Sequence, residues 1–172
     1  MNARRNDVIQ AVSRVLQLER FQSLDIDLVE AIIIQESNYA RLAHRFEEEF
    51  YNRYIKDMPV EKIKDQNPAV GIFISFATER HDLATSWGSM QIMGQVARER
   101  GFRGQNLLVL VDSDYEGILW GCTHLVWLSE RYHKVEELLS AWNTGSPHSQ
   151  QGMEYAEKVM AHYKTLKEKR IA

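Results

Sequence analysis

An apolar run that ends on an acid, Ala31-Ile32-Ile33-Ile34-Gln35-Glu36-Ser37, constrains this chain more than any other stretch. Leu28, Val29, Ile32 and Ile33 recur at helical spacing, and Asp25 or Asp27 stands where an N-cap is needed, so the pattern predicts a core helix that closes at Glu36. A carboxyl group held against apolar neighbours is disfavoured as an anion and keeps its proton toward neutral pH. Such a group can protonate a leaving oxygen. The plainer alternative is a solvated glutamate near a helix C-terminus, beside Ser37-Asn38, where chains often turn.

Helical spacing continues along the chain. Val8, Val12, Val15 and Leu16 form one apolar face, and the run from Ala43 to Ile55 puts Phe46, Phe50 and Tyr54 on one stripe. Pro59 and Asn67-Pro68 break the chain, and Val70 to Ala77 suits either a short strand or a buried helix. A helix from about Gln95 to Arg100 stops at Gly101, and Asp112-Ser113-Asp114 offers caps for a long helix through Tyr132, with Ile118, Cys122, Leu125, Val126 and Ser129 on its inner face. Val135 to Trp142 and Met153 to Leu166 read as two more helices. The expectation is a mainly α protein forming a single domain over residues 1–172, large enough to bury about two-thirds of its unfolded surface.

Composition narrows the function classes. With 44% hydrophobic and 26% charged residues the chain resembles an ordinary globular protein, and no apolar stretch approaches the roughly 18 residues of a membrane span, so no membrane insertion is expected. The N-terminus lacks the apolar core of a secretion signal. The single cysteine, Cys122, excludes an internal disulfide and reads as a buried structural thiol. Six histidines, at 44, 81, 124, 133, 148 and 162, make no ligand spacing, so no metal and no cofactor is expected. A net charge of -3 argues against nucleic acid as a partner, and the basic tail around Lys164 to Arg170 reads as a solvated helix face.

Four short motifs then stand in order: Ile34-Gln35-Glu36-Ser37, Gly88-Ser89-Met90-Gln91-Ile92-Met93, Ala141-Trp142-Asn143-Thr144-Gly145, and Tyr155-Ala156-Glu157-Lys158-Val159. The set resembles the soluble lytic transglycosylase and goose-type lysozyme family, whose pattern reads Glu-Ser, Gly-Leu-Met-Gln-Ile-Met, Ala-Tyr-Asn-Ala-Gly and Tyr-Val-x-x-Val. The resemblance covers roughly residues 25 to 163. It implies a lysozyme-like α-helical fold and cleavage of the β-1,4 bond between N-acetylmuramic acid and N-acetylglucosamine in bacterial peptidoglycan. Glu36 takes the family's catalytic place, followed by Ser37. As general acid it would protonate the glycosidic oxygen, and in a transglycosylase it would then draw a proton from the muramic 6-hydroxyl to close a 1,6-anhydro ring. Gln91 resembles the substrate-cleft glutamine and Met90 the methionine beside it, while Ile92 reads as core. Asn143 matches an asparagine whose amide would orient Glu36 or the sugar. Tyr155 would either place a hydroxyl near the glutamate or simply pack.

This chain departs from the pattern in three places. Trp142 replaces the motif tyrosine, so no phenolic hydrogen bond is expected there, though an indole can stack on a sugar. Ser89 replaces leucine. The 51 residues 37–87 between Glu36 and Gly88 form a long insertion, similar to one in phage and prophage muramidases, and the expectation is that its segment from Arg45 to Tyr54 walls the cleft.

Asp82 lies six residues before Gly88, where goose-type lysozymes tend to carry an aspartate and lytic transglycosylases a serine. It is a candidate water-positioning base for a hydrolytic muramidase, with Glu79, Glu47 and Glu48 as competitors and a solvated loop residue as the plainer reading. The Gly-x-Met-Gln-Ile-Met form favours the transglycosylase. An alternative of another class is a non-catalytic wall-binding or virion structural protein, and a third is a helical interaction domain. The expected partner is the glycan strand of peptidoglycan, met by a monomer. The expected setting is that of a phage endolysin or virion-borne wall enzyme, made in the cytoplasm without a signal peptide and delivered to the wall.

Overall fold

Residues 3–171 are described by the computed structural model. In chain order the elements are α1 (Ala3–Leu16), α2 (Ile26–Ser37), β1 (His44–Phe46), α3 (Glu48–Phe50), α4 (Val60–Gln66), α5 (Phe76–Leu83), β2 (Thr85–Trp87), β3 (Ile92–Met93), α6 (Gly94–Glu99), α7 (Val109–Asp112), α8 (Asp114–Ser129), α9 (Val135–Thr144) and α10 (Gln150–Ile171). The described chain is thus mainly helical, with one small sheet. It divides into two compact units, one of residues 1–39 with 122–172 and the other of residues 40–121. The excursion out of the first unit therefore begins near the expected insertion but runs beyond residue 87, taking in the Gly88 to Met93 motif and ending inside α8.

The first unit packs α10 against α9 and α2, with α1 also on α2. Asp25 caps α2, its carboxylate accepting from the Asp27 N–H at 2.8 Å. This decides between the two caps the sequence allowed. Val29, Ala31, Ile32 and Ile33 of α2 are buried, as are Val8, Val12 and Val15 of α1. On α10, Tyr155, Ala156, Val159 and Leu166 face inward. The close approach of α10 to α9 requires glycine at 152, because a Cβ there would lie 2.2 Å from Ser140 Oγ.

Cys122 is buried as expected, and burial pushes its thiol up to about 12, which keeps it protonated. At the other end of the unit, Lys167 reaches Asp25 at 2.8 Å and Asp27 at 3.1 Å, while Arg170 pairs with Asp27 at 2.5 Å.

The second unit is built around an antiparallel sheet ordered β1-β2-β3, with His44 opposite Trp87, Phe46 opposite Thr85, and Trp87 opposite Ile92. Two local expectations are corrected here. The segment 43–55 is not one helix: β1 pairs with β2, and the helical continuation, α3 and a π-helical turn over Tyr51–Ile55, starts only after it. Strand pairing takes Phe46 off the stripe and onto the His81 ring at 4.7 Å, while Phe50 and Tyr54 remain neighbours with ring centroids 5.0 Å apart; Phe46 and Tyr54 are exposed. Val70 to Ala77 is neither strand nor buried helix; it holds a single bridge from Val70 to Ile74 around a tip where Ile72 and Phe73 are exposed, and α5 begins at Phe76. At the unit's centre, buried Arg98 meets buried Glu79 at 2.9 Å, and the Asn67 amide donates to the same carboxylate at 2.9 Å. Gly88 adopts φ +74 at the turn after β2, a conformation that a side chain would strain.

Candidate active site

In the first unit, Glu36 lies in the last turn of α2, half-buried, where the apolar stretch of the helix runs out. Two donors converge on one of its oxygens. The indole Nε1–H of Trp142, on α9, donates to Oε1 at 3.0 Å, and the hydroxyl of Tyr155, on α10, donates to the same Oε1 at 2.7 Å. α10 packs against both α2 and α9, so side chains 106 and 119 positions away from Glu36 meet it at one atom. Burial, then the charge and hydrogen bond of Glu36, push the Tyr155 phenol far above its usual range. It therefore remains a donor at every working pH.

Trp142 is held in turn by rings. His124, buried on α8, lies 5.4 Å from the Trp142 ring and 5.7 Å from that of Trp127, and the Arg131 guanidinium covers Trp127 at 3.6 Å. Trp142, where no phenolic hydrogen bond was expected, thus donates through its indole N–H. Asn143, the next residue, is exposed on α9, and the donors that meet Oε1 are those of Trp142 and Tyr155. Ser37 turns back on its own helix, donating to the Ile33 carbonyl at 3.4 Å.

The second unit holds the remaining sequence candidates. Met90 is fully buried against Gly121, where a Cβ would come within 2.5 Å of its sulfur, and Ile92 is core. Gln91 takes φ +50, and its amide nitrogen donates to the carbonyls of Ala43 at 3.0 Å and Gly88 at 2.8 Å. Both amide hydrogens thus brace the main chain. Its oxygen faces Ser86 Oγ at 3.3 Å, and the same hydroxyl lies 3.1 Å from Glu47 Oε1. Ser89 is buried.

The carboxylates that competed for a second role separate clearly. Glu79 is sealed against Arg98. Asp82 has a side chain only 10% exposed, 3.2 Å from His81 Nδ1, and burial raises its carboxyl above the ordinary range despite that histidine and Arg98. Glu47 is partly exposed and accepts from Arg45 Nε at 2.7 Å, while Glu48 is exposed in the first turn of α3. Sequence reading did not anticipate the Ser86 and Gln91 contacts of this region; the signal was the register of β1 on β2, which no local pattern encodes.

Among the described residues no group of three or more His, Cys, Asp or Glu side chains could hold a metal ion, and no helix is long and apolar enough to cross a membrane. Comparison with family models, curated proteins and solved structures returned no match.

Proposed function

We propose that this protein is a peptidoglycan glycosidase that cleaves the β-1,4 bond between N-acetylmuramic acid and N-acetylglucosamine, as a lytic transglycosylase with Glu36 as general acid and then base. The observation that carries the reading is the convergence of the Trp142 and Tyr155 donors on Oε1 of a half-buried glutamate where an apolar helix ends. The four ordered motifs support it from the sequence side. The setting we infer for it is a bacteriophage or prophage enzyme acting on the host wall.

A carboxyl oxygen has two lone pairs, and both of those on Oε1 are engaged, so the acid's proton sits on Oε2. That proton passes to the glycosidic oxygen as the bond from it to the muramic C1 breaks and positive charge develops on the sugar. Hydrogen bonds to an anion are about twice as strong as those to a neutral group, so the Trp142 and Tyr155 bonds strengthen as the proton leaves. The carboxylate next takes the proton of the muramic 6-hydroxyl, whose oxygen bonds to C1 and closes the 1,6-anhydro ring. Glu36 ends protonated, as it began, and no water is consumed. A hydrolytic outcome would require a second carboxylate; Glu79 is sealed and Asp82 is buried, Glu47 and Glu48 remain accessible, and the Gly-x-Met-Gln-Ile-Met form is what favours the route that needs only one.

Mass spectrometry of muropeptides released from purified peptidoglycan tests the proposal, with Glu36→Gln as control. Products ending in 1,6-anhydromuramic acid, absent with the variant, are expected. Reducing ends would replace the transglycosylase with a muramidase. Equal product from both proteins would remove Glu36 from the chemistry, and no product from either would leave a wall-binding protein.

A further inference from the structure

The backbone leaves α2 through two consecutive residues in the left-handed region, Asn38 at φ 48 and Tyr39 at φ 70. Asparagine visits this region readily, but an aromatic residue does so rarely and only where its surroundings hold it there. Three bonds do so. The Tyr39 hydroxyl donates to Glu30 Oε1 at 2.8 Å, Arg5 Nε donates to the same oxygen at 2.6 Å, and Arg4 Nε donates to the Tyr39 carbonyl at 2.8 Å. Glu30 is completely buried, and Tyr39 nearly so. The proposed chemistry uses neither.

Their place in the chain gives them a use. Glu36 stands three residues before Tyr39 and six after Glu30, so the pair brackets the last turn of α2 from both sides. The last turn of a helix lacks partners for its carbonyls and frays unless capped. Here the Asn38 N–H returns to the Ile34 carbonyl at 3.1 Å, and the chain then turns off the helix through the left-handed Asn38 and Tyr39.

We propose that Tyr39 and Glu30 are positioning residues: the hydroxyl-to-carboxylate tie, tightened by Arg5, fixes the end of α2 and so holds the Glu36 carboxylate under the Trp142 and Tyr155 donors. A buried acid in a core helix is thereby explained by the acid that follows it. Burial, then Glu30 itself, raise the Tyr39 phenol to about 12, so the tie persists across the neutral range. The inference rests on the catalytic reading of Glu36 only in its kinetic arm.

The test is Tyr39→Phe, which keeps the ring and removes the hydroxyl, read by the NMR resonance of the Trp142 indole N–H and by muropeptide release. The expected result is a displaced Trp142 resonance, with kcat lowered about tenfold and KM within twofold. Glu30→Gln, which keeps an oxygen for the Tyr39 hydroxyl, should displace the resonance less. An unmoved Trp142 resonance in both variants, even with a lower Tm, would overturn the proposal and leave Tyr39 a packing residue. If the wild type releases no muropeptides, the function reading fails, and the resonance still decides whether Tyr39 positions Glu36.

Discussion

Two donors on one oxygen make Trp142 and Tyr155 a unit rather than two independent aids. Hydrogen bonds to a charged group exceed those to a neutral one by about 1–1.5 kcal/mol, and tenfold in rate corresponds to about 1.4 kcal/mol, so under the proposed mechanism Trp142→Phe and Tyr155→Phe should each lower kcat about five- to tenfold. Because the partners share an acceptor, the double variant should lose less than the product of the two factors, which turnover of purified peptidoglycan would measure. Asp82→Asn should slow a transglycosylase only mildly. The same variant carries a stability prediction with a definite sign. Burial raises the Asp82 carboxyl, so its favourable contribution is present at low pH and is lost as pH rises through its folded value. Denaturant titrations should therefore find Asp82→Asn gaining on the wild type as pH rises from about 4 through the folded value of the carboxyl; a variant that loses ground as pH rises would contradict this.

At the scale of elements, α2 is held at both ends. Asp25 accepts from the Asp27 N–H, from Tyr163 and from Lys167, and although burial pushes its carboxyl up, these bonds outweigh it and hold it below the ordinary range. The sign is opposite to that of Asp82: stability from Asp25 is present above the unfolded value and disappears as pH falls through the folded one. Asp25→Ala should cost about 1 kcal/mol for the lost cap, and its deficit against wild type should shrink below about pH 4. Gly152 sets how α10 meets α9. Gly152→Ala would place a methyl carbon 2.2 Å from Ser140 Oγ and 2.8 Å from its carbonyl oxygen, an overpacking expected to cost about 1–3 kcal/mol, readable as a lowered urea midpoint. In the second unit Arg98→Met leaves Glu79 buried without its cation, a loss of about 3–5 kcal/mol that hydrogen exchange should register over residues 40–121.

At the scale of the whole molecule, both ends of the chain build one unit, because 1–39 and 122–172 contribute its helices together. Ending the chain at Ser149 would strip α10 from α2 and α9, exposing their buried faces and removing Tyr155 from Glu36. Circular dichroism should then report loss of helix well beyond the 22 residues of α10. Much of this architecture was legible locally. The period of Val8 to Val15, the run from Leu28 to Glu36, the stop at Gly101 and the two C-terminal helices depend on burial and capping within one element, which neighbouring residues encode. The segment 43–55 was not legible. Its aromatic spacing satisfies a helix, but the hydrogen bonds to β2 come from residues some 40 positions away. By itself the sequence determined that the protein is mainly helical and that an acid stands where the apolar run of α2 ends, since both follow from interactions within a few residues. Only the tertiary structure decided that Trp142 and Tyr155 meet at Glu36 Oε1, that Asn143 is exposed, that Gln91 braces the main chain, and that Glu79 is sealed by Arg98. Each of these outcomes depends on which faces of distant elements pack together, a choice that the core makes as a whole and no short window contains.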